Sequence, residues 1–100
     1  MERRRTLALM KVALAVMAAP HERFYGYPLA KASGVRSGVL YPMLDRFLAD
    51  GWVTDAWELP HETATRKPRR YYTLTDRGRR ELGAVAAQAE VAGIAGLGWT

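Results

Sequence analysis

The stretch "SGVLYPMLDRFLADGW", residues 37–52, opens like a helix and then breaks a rule. Ser37 has the chemistry of an N-cap and Gly51 that of a stop, yet Pro42 falls in the second turn, where it removes a backbone donor and crowds the turn before it. Winding at about 100° per residue puts Leu40, Leu44, Phe47 and Leu48 on one side and Gly38, Tyr41, Pro42, Asp45 and Ala49 on the other. The first side reads as a core face. The second is small and sparsely charged, where a merely solvated face carries Lys, Glu and Gln. At its N-terminal end, free amides and the positive end of the helix dipole favour a phosphate. Gly38 permits close approach, and Pro42 gives up its amide near an end where few amides have partners. These residues fit a helix whose first turn is pushed against something large, flat and negatively charged. They fit equally a Tyr41 packed on a neighbouring helix, and the stretch alone leaves both readings open.

Upstream, "FYGYPLAKASG" reads as a compact helix: Gly26 breaks the chain, Pro28 suits a first turn and Gly34 stops it. Only "VR" separates Gly34 from Ser37, and two short helices joined by so tight a turn make a helix-turn-helix, with the second helix free to enter a major groove. Downstream, "WVTDAWEL" and "RRYYTLT" alternate like strands and can pair as a hairpin across "PHETATRKP". Helix-turn-helix followed by a hairpin is a winged helix. Arg66, Lys67, Arg69 and Arg70 on its loop are expected to meet phosphates, with Arg36, Ser37, Gly38, Tyr41, Pro42 and Arg46 docking and reading bases.

The opening "MERRRTLALMKVALAVMAAP" imitates an export signal, down to paired arginines at 4 and 5. Lys11 interrupts its apolar run, and Leu7 to Ala19 falls short of the ~20 residues a bilayer span needs. A helix ended by Pro20 accounts for it better, with Leu7, Met10, Leu14 and Met17 on one side and Leu9, Val12, Ala13 and Val16 over most of the rest. Such a helix needs cover from two directions, its own core and a second copy of the chain. A last helix from Thr75 to about Ala92 carries Leu82, Val85, Ala86 and Ala89 as a stripe. Leu7, Met10 and Leu14 together with that stripe are the expected dimer contacts.

One hundred residues, nearly half of them apolar and a quarter charged, suit one globular domain. With no cysteine, disulfides and thiolate chemistry are excluded and a reducing, cytoplasmic setting fits. His21 and His61 have no metal-ligand spacing, no histidine–carboxylate pair stands at useful spacing, and no glycine loop cradles a phosphate, so neither metal, cofactor nor enzyme is expected. Fifteen basic against ten acidic residues give a net charge of +5, unevenly placed: "RKPRRYYTLTDRGRR", residues 66–80, holds one acid, Asp76, while acids gather at 45–62. Clustered base points to a polyanion or to a solvated face, and charge alone does not choose.

The combination of "YGYPLAKASG", "SGVLYPMLDRFLADGW" followed by "DAWE", and "PRRYYTLTDRGRREL" resembles the PadR family of bacterial transcriptional regulators over about residues 7–85. The resemblance implies a homodimeric winged-helix protein that binds double-stranded DNA, usually a repressor, with dimer contacts from its terminal helices and a small aromatic or drug-like effector in the dimer interface. Two features depart from it: Pro28 stands where relatives carry an ordinary helix former, and "GIAGLGWT" is a poor helix. The expected fold is mainly α with a small β-hairpin, a winged helix-turn-helix plus a C-terminal dimerisation helix. It divides into a DNA-binding part over 1–74, the dimerisation helix over 75–92 and a flexible tail over 93–100. The competing reading is a winged helix used for protein interaction, with Tyr41, Trp52 and Trp57 facing a partner chain; a run of four basic residues in the wing loop favours DNA.

Overall fold

In the computed structural model, which describes residues 6–94, the chain forms α1 (Leu7–Met17), α2 (Gly26–Ser33), α3 (Ser37–Ala49), β1 (Val53–Trp57), a 3-10 turn (Pro60–Glu62), β2 (Arg70–Leu74) and α4 (Asp76–Val91). This is the expected winged helix, mainly helical with one antiparallel hairpin, in register from Val53 opposite Leu74 to Trp57 opposite Arg70. Residues 95–100, most of the expected tail, lie outside the described residues. No described helix is long and apolar enough to cross a membrane.

Capping chemistry sets the ends. Thr6 accepts a hydrogen bond from the Leu9 N–H at 3.1 Å and so starts α1, and Thr75 does the same for α4 with the Gly78 N–H at 3.0 Å. The last helix thus runs almost as its sequence predicts, between Thr75 and Ala92. Two expectations shift by one residue. Gly26, expected to break the chain before α2, is its first helical residue after Tyr25 as N-cap. Ser37, expected as N-cap of α3, is likewise helical, and the cap position belongs to Arg36. The hydroxyl that serves this turn is Ser33 instead, buried at the end of α2, where it accepts from the Val35 N–H at 3.1 Å. Gly34 stands between them at φ 74°, a left-handed conformation that glycine adopts without a steric penalty.

The core joins Leu9, Val12, Ala13 and Val16 of α1 to Leu40, Leu44 and Phe47 of α3, to Tyr72 and Leu74 of β2, and to Leu82, Val85 and Ala86 of α4. This packing corrects the expected dimer stripe. Leu82, Val85, Ala86 and Ala89 are all buried inside the protomer, where α4 packs along α1, so they are not available to a second copy. Amphipathic spacing shows that a face is covered, not by which chain. The other side of α1 is left over: Leu7 is half exposed, while Met10, Leu14 and Met17 are partly buried at the margin of the core.

Trp52 is also a core residue, stacked on Phe47 with ring centroids 5.3 Å apart, which withdraws it from the partner surface imagined for a protein-binding module. Phe24, in the link between α1 and α2, exchanges two backbone hydrogen bonds of 2.8 Å with Tyr72. That bridge fastens the helical half of the molecule to the hairpin.

Candidate nucleic-acid interface

The surface of α3 that does not enter the core is short and shallow. Arg36, Ser37, Gly38, Val39, Tyr41, Pro42, Asp45 and Arg46 are all exposed, and the helix passes through Pro42 without leaving α geometry. Nothing lies within 4 Å of where a Gly38 side chain would start, so the first turn stands open to solvent. The N-cap residue Arg36 makes no side-chain capping bond, and its carbonyl accepts from the Val39 and Leu40 N–H groups, so among the described residues the Ser37 and Gly38 amides keep free donors beside it.

Tyr41 packs on a neighbouring helix, one of the two readings that its sequence allows. A Cβ built on Gly26 would come within 2.5 Å of the Tyr41 ring carbon Cζ, so the phenol lies directly on the first turn of α2, where any side chain would have to displace it. The same side chain remains 42% exposed, on the outer face of α3. Its ring therefore packs between the two helices while part of the side chain stays open to solvent. Beside it opens a cleft of about 340 Å³, lined by Tyr25, Gly26, Tyr27 and Pro28 from the start of α2, Tyr41 from α3, and Arg69, Arg70 and Tyr72 from the wing. Helix-turn-helix and wing thus share one continuous surface.

In the wing, three of the four expected phosphate contacts already have partners. Glu58, directly after β1 and 4% exposed, accepts hydrogen bonds from both terminal nitrogens of Arg66 at 2.6 and 2.9 Å, from the Arg69 N–H at 2.8 Å and from the Tyr25 hydroxyl at 2.8 Å. The Arg69 guanidinium reaches the same carboxylate at 3.5 Å and lies 4.1 Å from the centre of the Tyr25 ring. Arg70 pairs with Asp55 at 2.7 Å. Arg66, Arg69 and Arg70 are therefore fixed parts of the wing's framework, where the basic run alone suggests free charges. Among the described residues, Lys67, Arg36 and Arg46 form no ion pair.

Arg66, with Tyr25 and Arg69, holds the Glu58 carboxyl well below the usual carboxylate range, against the opposing effect of its burial. Because the folded value lies below the unfolded one, this anchorage contributes fully at neutral pH and is lost progressively as pH falls from the usual carboxylate range to the lowered value. A second tie runs parallel to it. Glu62 accepts from Arg23 at 2.5 Å and from the Leu59 N–H at 2.7 Å, and Arg23 stacks over Tyr71 at 4.3 Å. Sequence reasoning missed both acids as site residues. The signal available was the gathering of acids just ahead of a basic run, which a hairpin folds back onto them.

The family profile of the PadR-like transcriptional regulators matches residues 14–84, from the middle of α1 into α4. No curated protein matches the chain. Among solved structures, the smu.1704 protein of Streptococcus mutans superposes with a TM-score of 0.67 at 20% identity, over 94% of this chain and 88% of that one. A PadR family transcription regulator from Clostridium difficile gives 0.64 at 18% identity, over 89% and 92%. Bacillus subtilis PadR, crystallised in complex with operator DNA, gives 0.60 at 21% identity, over 83% of this chain but 46% of its own, so the present chain spans about half of its length. These likenesses establish a shared fold, and the profile, covering most of the chain, establishes more: the protein belongs to the PadR-like family of transcriptional regulators.

Proposed function

We propose that the protein binds double-stranded DNA in a sequence-dependent way as a homodimer and represses transcription by occupying a promoter. The observation that carries this reading is the single surface on which the outer face of α3, the start of α2 and the wing meet around Tyr41. Arg36, Ser37, Gly38, Tyr41, Pro42 and Arg46 would enter or border a major groove, with the free amides of α3 directed at a phosphate. Lys67 would contribute the wing's sequence-independent contact, and the paired arginines would present their remaining donors. Support also comes from the relative with the same fold that was crystallised on operator DNA.

Charge removal separates the two kinds of wing residue. Lys67→Ala is expected to flatten the dependence of log K on log salt by about 0.9, the value for a single neutralised phosphate. Arg66→Ala should change that slope by much less, since its guanidinium is already neutralised by Glu58. Fluorescence anisotropy on a labelled duplex between 50 and 200 mM salt (roughly the range over which such slopes resolve) checks both. Equal slopes for the two variants would contradict the assignment.

The dimer rests on the side of α1 that the core leaves uncovered, Leu7, Met10 and Leu14, and on Val91 at the end of α4, which is 90% exposed. Sedimentation at tens of micromolar (roughly where a weak micromolar dimer still forms) should show a dimer. Replacing Leu7 and Leu14 together by glutamate should give a folded monomer that binds DNA at least tenfold more weakly, because a single half-site remains. A wild-type monomer under these conditions contradicts the reading.

A further inference from the structure

Glu58 poses a problem for a DNA-binding surface. A buried carboxylate in the middle of the wing repels phosphates and occupies two arginines that would otherwise attract them. An acid with that effect is expected to supply something else. Its hydrogen bonds show what it joins: Arg66 and Arg69 at the far end of the wing loop, and the hydroxyl of Tyr25, which is the N-cap residue of α2. Tyr25 immediately precedes Gly26, the glycine on which the Tyr41 ring of the recognition helix rests. Wing loop, Glu58, Tyr25, Gly26 and Tyr41 thus form an unbroken line of contacts from the wing to the groove-facing side of α3. Carboxylates that bind several donors at once fix geometry, because each donor restricts the others.

Building on the DNA-binding reading above, we propose that Glu58 is a positioning residue for operator recognition: it locks the wing to the start of α2, so that wing and recognition helix meet DNA in one set geometry, and it withholds Arg66 and Arg69 from indiscriminate pairing with phosphates. The wing thereby gives up affinity for any duplex in return for discrimination between duplexes. A residue acting only as a repulsive charge would weaken all DNA alike, and one acting only in stability would, when replaced, weaken all binding with the fold.

The test is Glu58→Gln, which keeps size and shape and removes the charge, alongside Tyr25→Phe, which keeps the ring stacked under Arg69 and removes only the hydroxyl link. Affinities are measured for a duplex from the region upstream of the protein's own gene and for an unrelated duplex of equal length, across a salt series. Glu58→Gln should bind the unrelated duplex severalfold more tightly, with a salt slope steeper by up to about 0.9 for each arginine released, while the ratio of specific to unrelated affinity falls at least tenfold. Tyr25→Phe should lower that ratio about threefold with binding to the unrelated duplex unchanged. Equal shifts on both duplexes, or no shift in the ratio for either variant, overturn the proposal. A DNA-free readout accompanies these: trypsin should cleave the wing after Arg66 or Arg69 at least fivefold faster in Glu58→Gln than in wild type, and an unchanged rate also overturns it. If the wild-type protein prefers no duplex while cleavage still accelerates, the DNA-binding reading fails and the lock itself stands.

Discussion

Gly78→Ala is expected to destabilise the protein by about 3 kcal/mol, the upper part of the range for forcing atoms into a packed site, and to lower the melting temperature by on the order of 10–20 °C. Gly78 lies in the first turn of α4, and a Cβ there would overlap the Trp52 carbonyl, its carbon 2.7 Å away. The obstacle is backbone, which cannot swing aside as a side chain can. It is also held from both sides: the Thr75 N–H donates to the Trp52 carbonyl at 3.0 Å, and the Thr75 hydroxyl donates to the Gly51 carbonyl at 2.6 Å while accepting from the Gly78 N–H. Alanine's better helix propensity, about 1 kcal/mol, offsets only part of the loss. Thermal unfolding followed by circular dichroism measures the difference, and a variant melting within a few degrees of wild type would mean that α4 does not abut the Trp52 backbone.

The opposite pattern is expected of Gly38→Glu. Nothing occupies the space beside Gly38, so glutamate fits without a clash, and it replaces a poor helix former in the first turn with an acid that the helix dipole favours. Stability should rise by about 0.5 to 1 kcal/mol. DNA binding should fall at least 100-fold, close to 3 kcal/mol, because a carboxylate now stands at the proposed phosphate seat. Gly38→Ala separates charge from size and should bind less than tenfold more weakly than wild type. A Gly38→Glu variant that is more stable and binds normally would move the interface away from the start of α3.

Much of this fold can be read from local patterns. The core face of α3, the strand alternation on either side of the wing and the threonine that starts α4 are short-range features, and the structure has them within a residue or two of where the sequence predicts. What sequence could not supply was the identity of the neighbour. Leu82, Val85, Ala86 and Ala89 form a real stripe, but its cover is α1 of the same protomer. The wing arginines form a real basic cluster, yet Arg66 is eight residues from Glu58, and Arg70 is fifteen from Asp55, with only the hairpin bringing them together. The second of these pairs had a readable signal, since strand register puts Asp55 and Arg70 on one face two positions apart. Glu58 had only the gathering of acids ahead of the basic run, which does not identify its partners, because they lie in a loop and at the start of a helix. The oddity of Pro42 has a partial answer in the structure: the ring sits exposed on the outer face beside Tyr41, where the helix tolerates it and no core packing asks for it.

Whether this surface recognises particular DNA is tested most directly by titrating the wild-type protein against a duplex from the region upstream of its own gene and against a shuffled duplex of the same composition, at physiological salt. The expected preference is at least 1,000-fold, the lower end for specific over non-specific binding, and it should be lost in Gly38→Glu. Equal affinity for the native and shuffled duplexes, or a preference that survives Gly38→Glu, would contradict sequence-specific recognition by this surface.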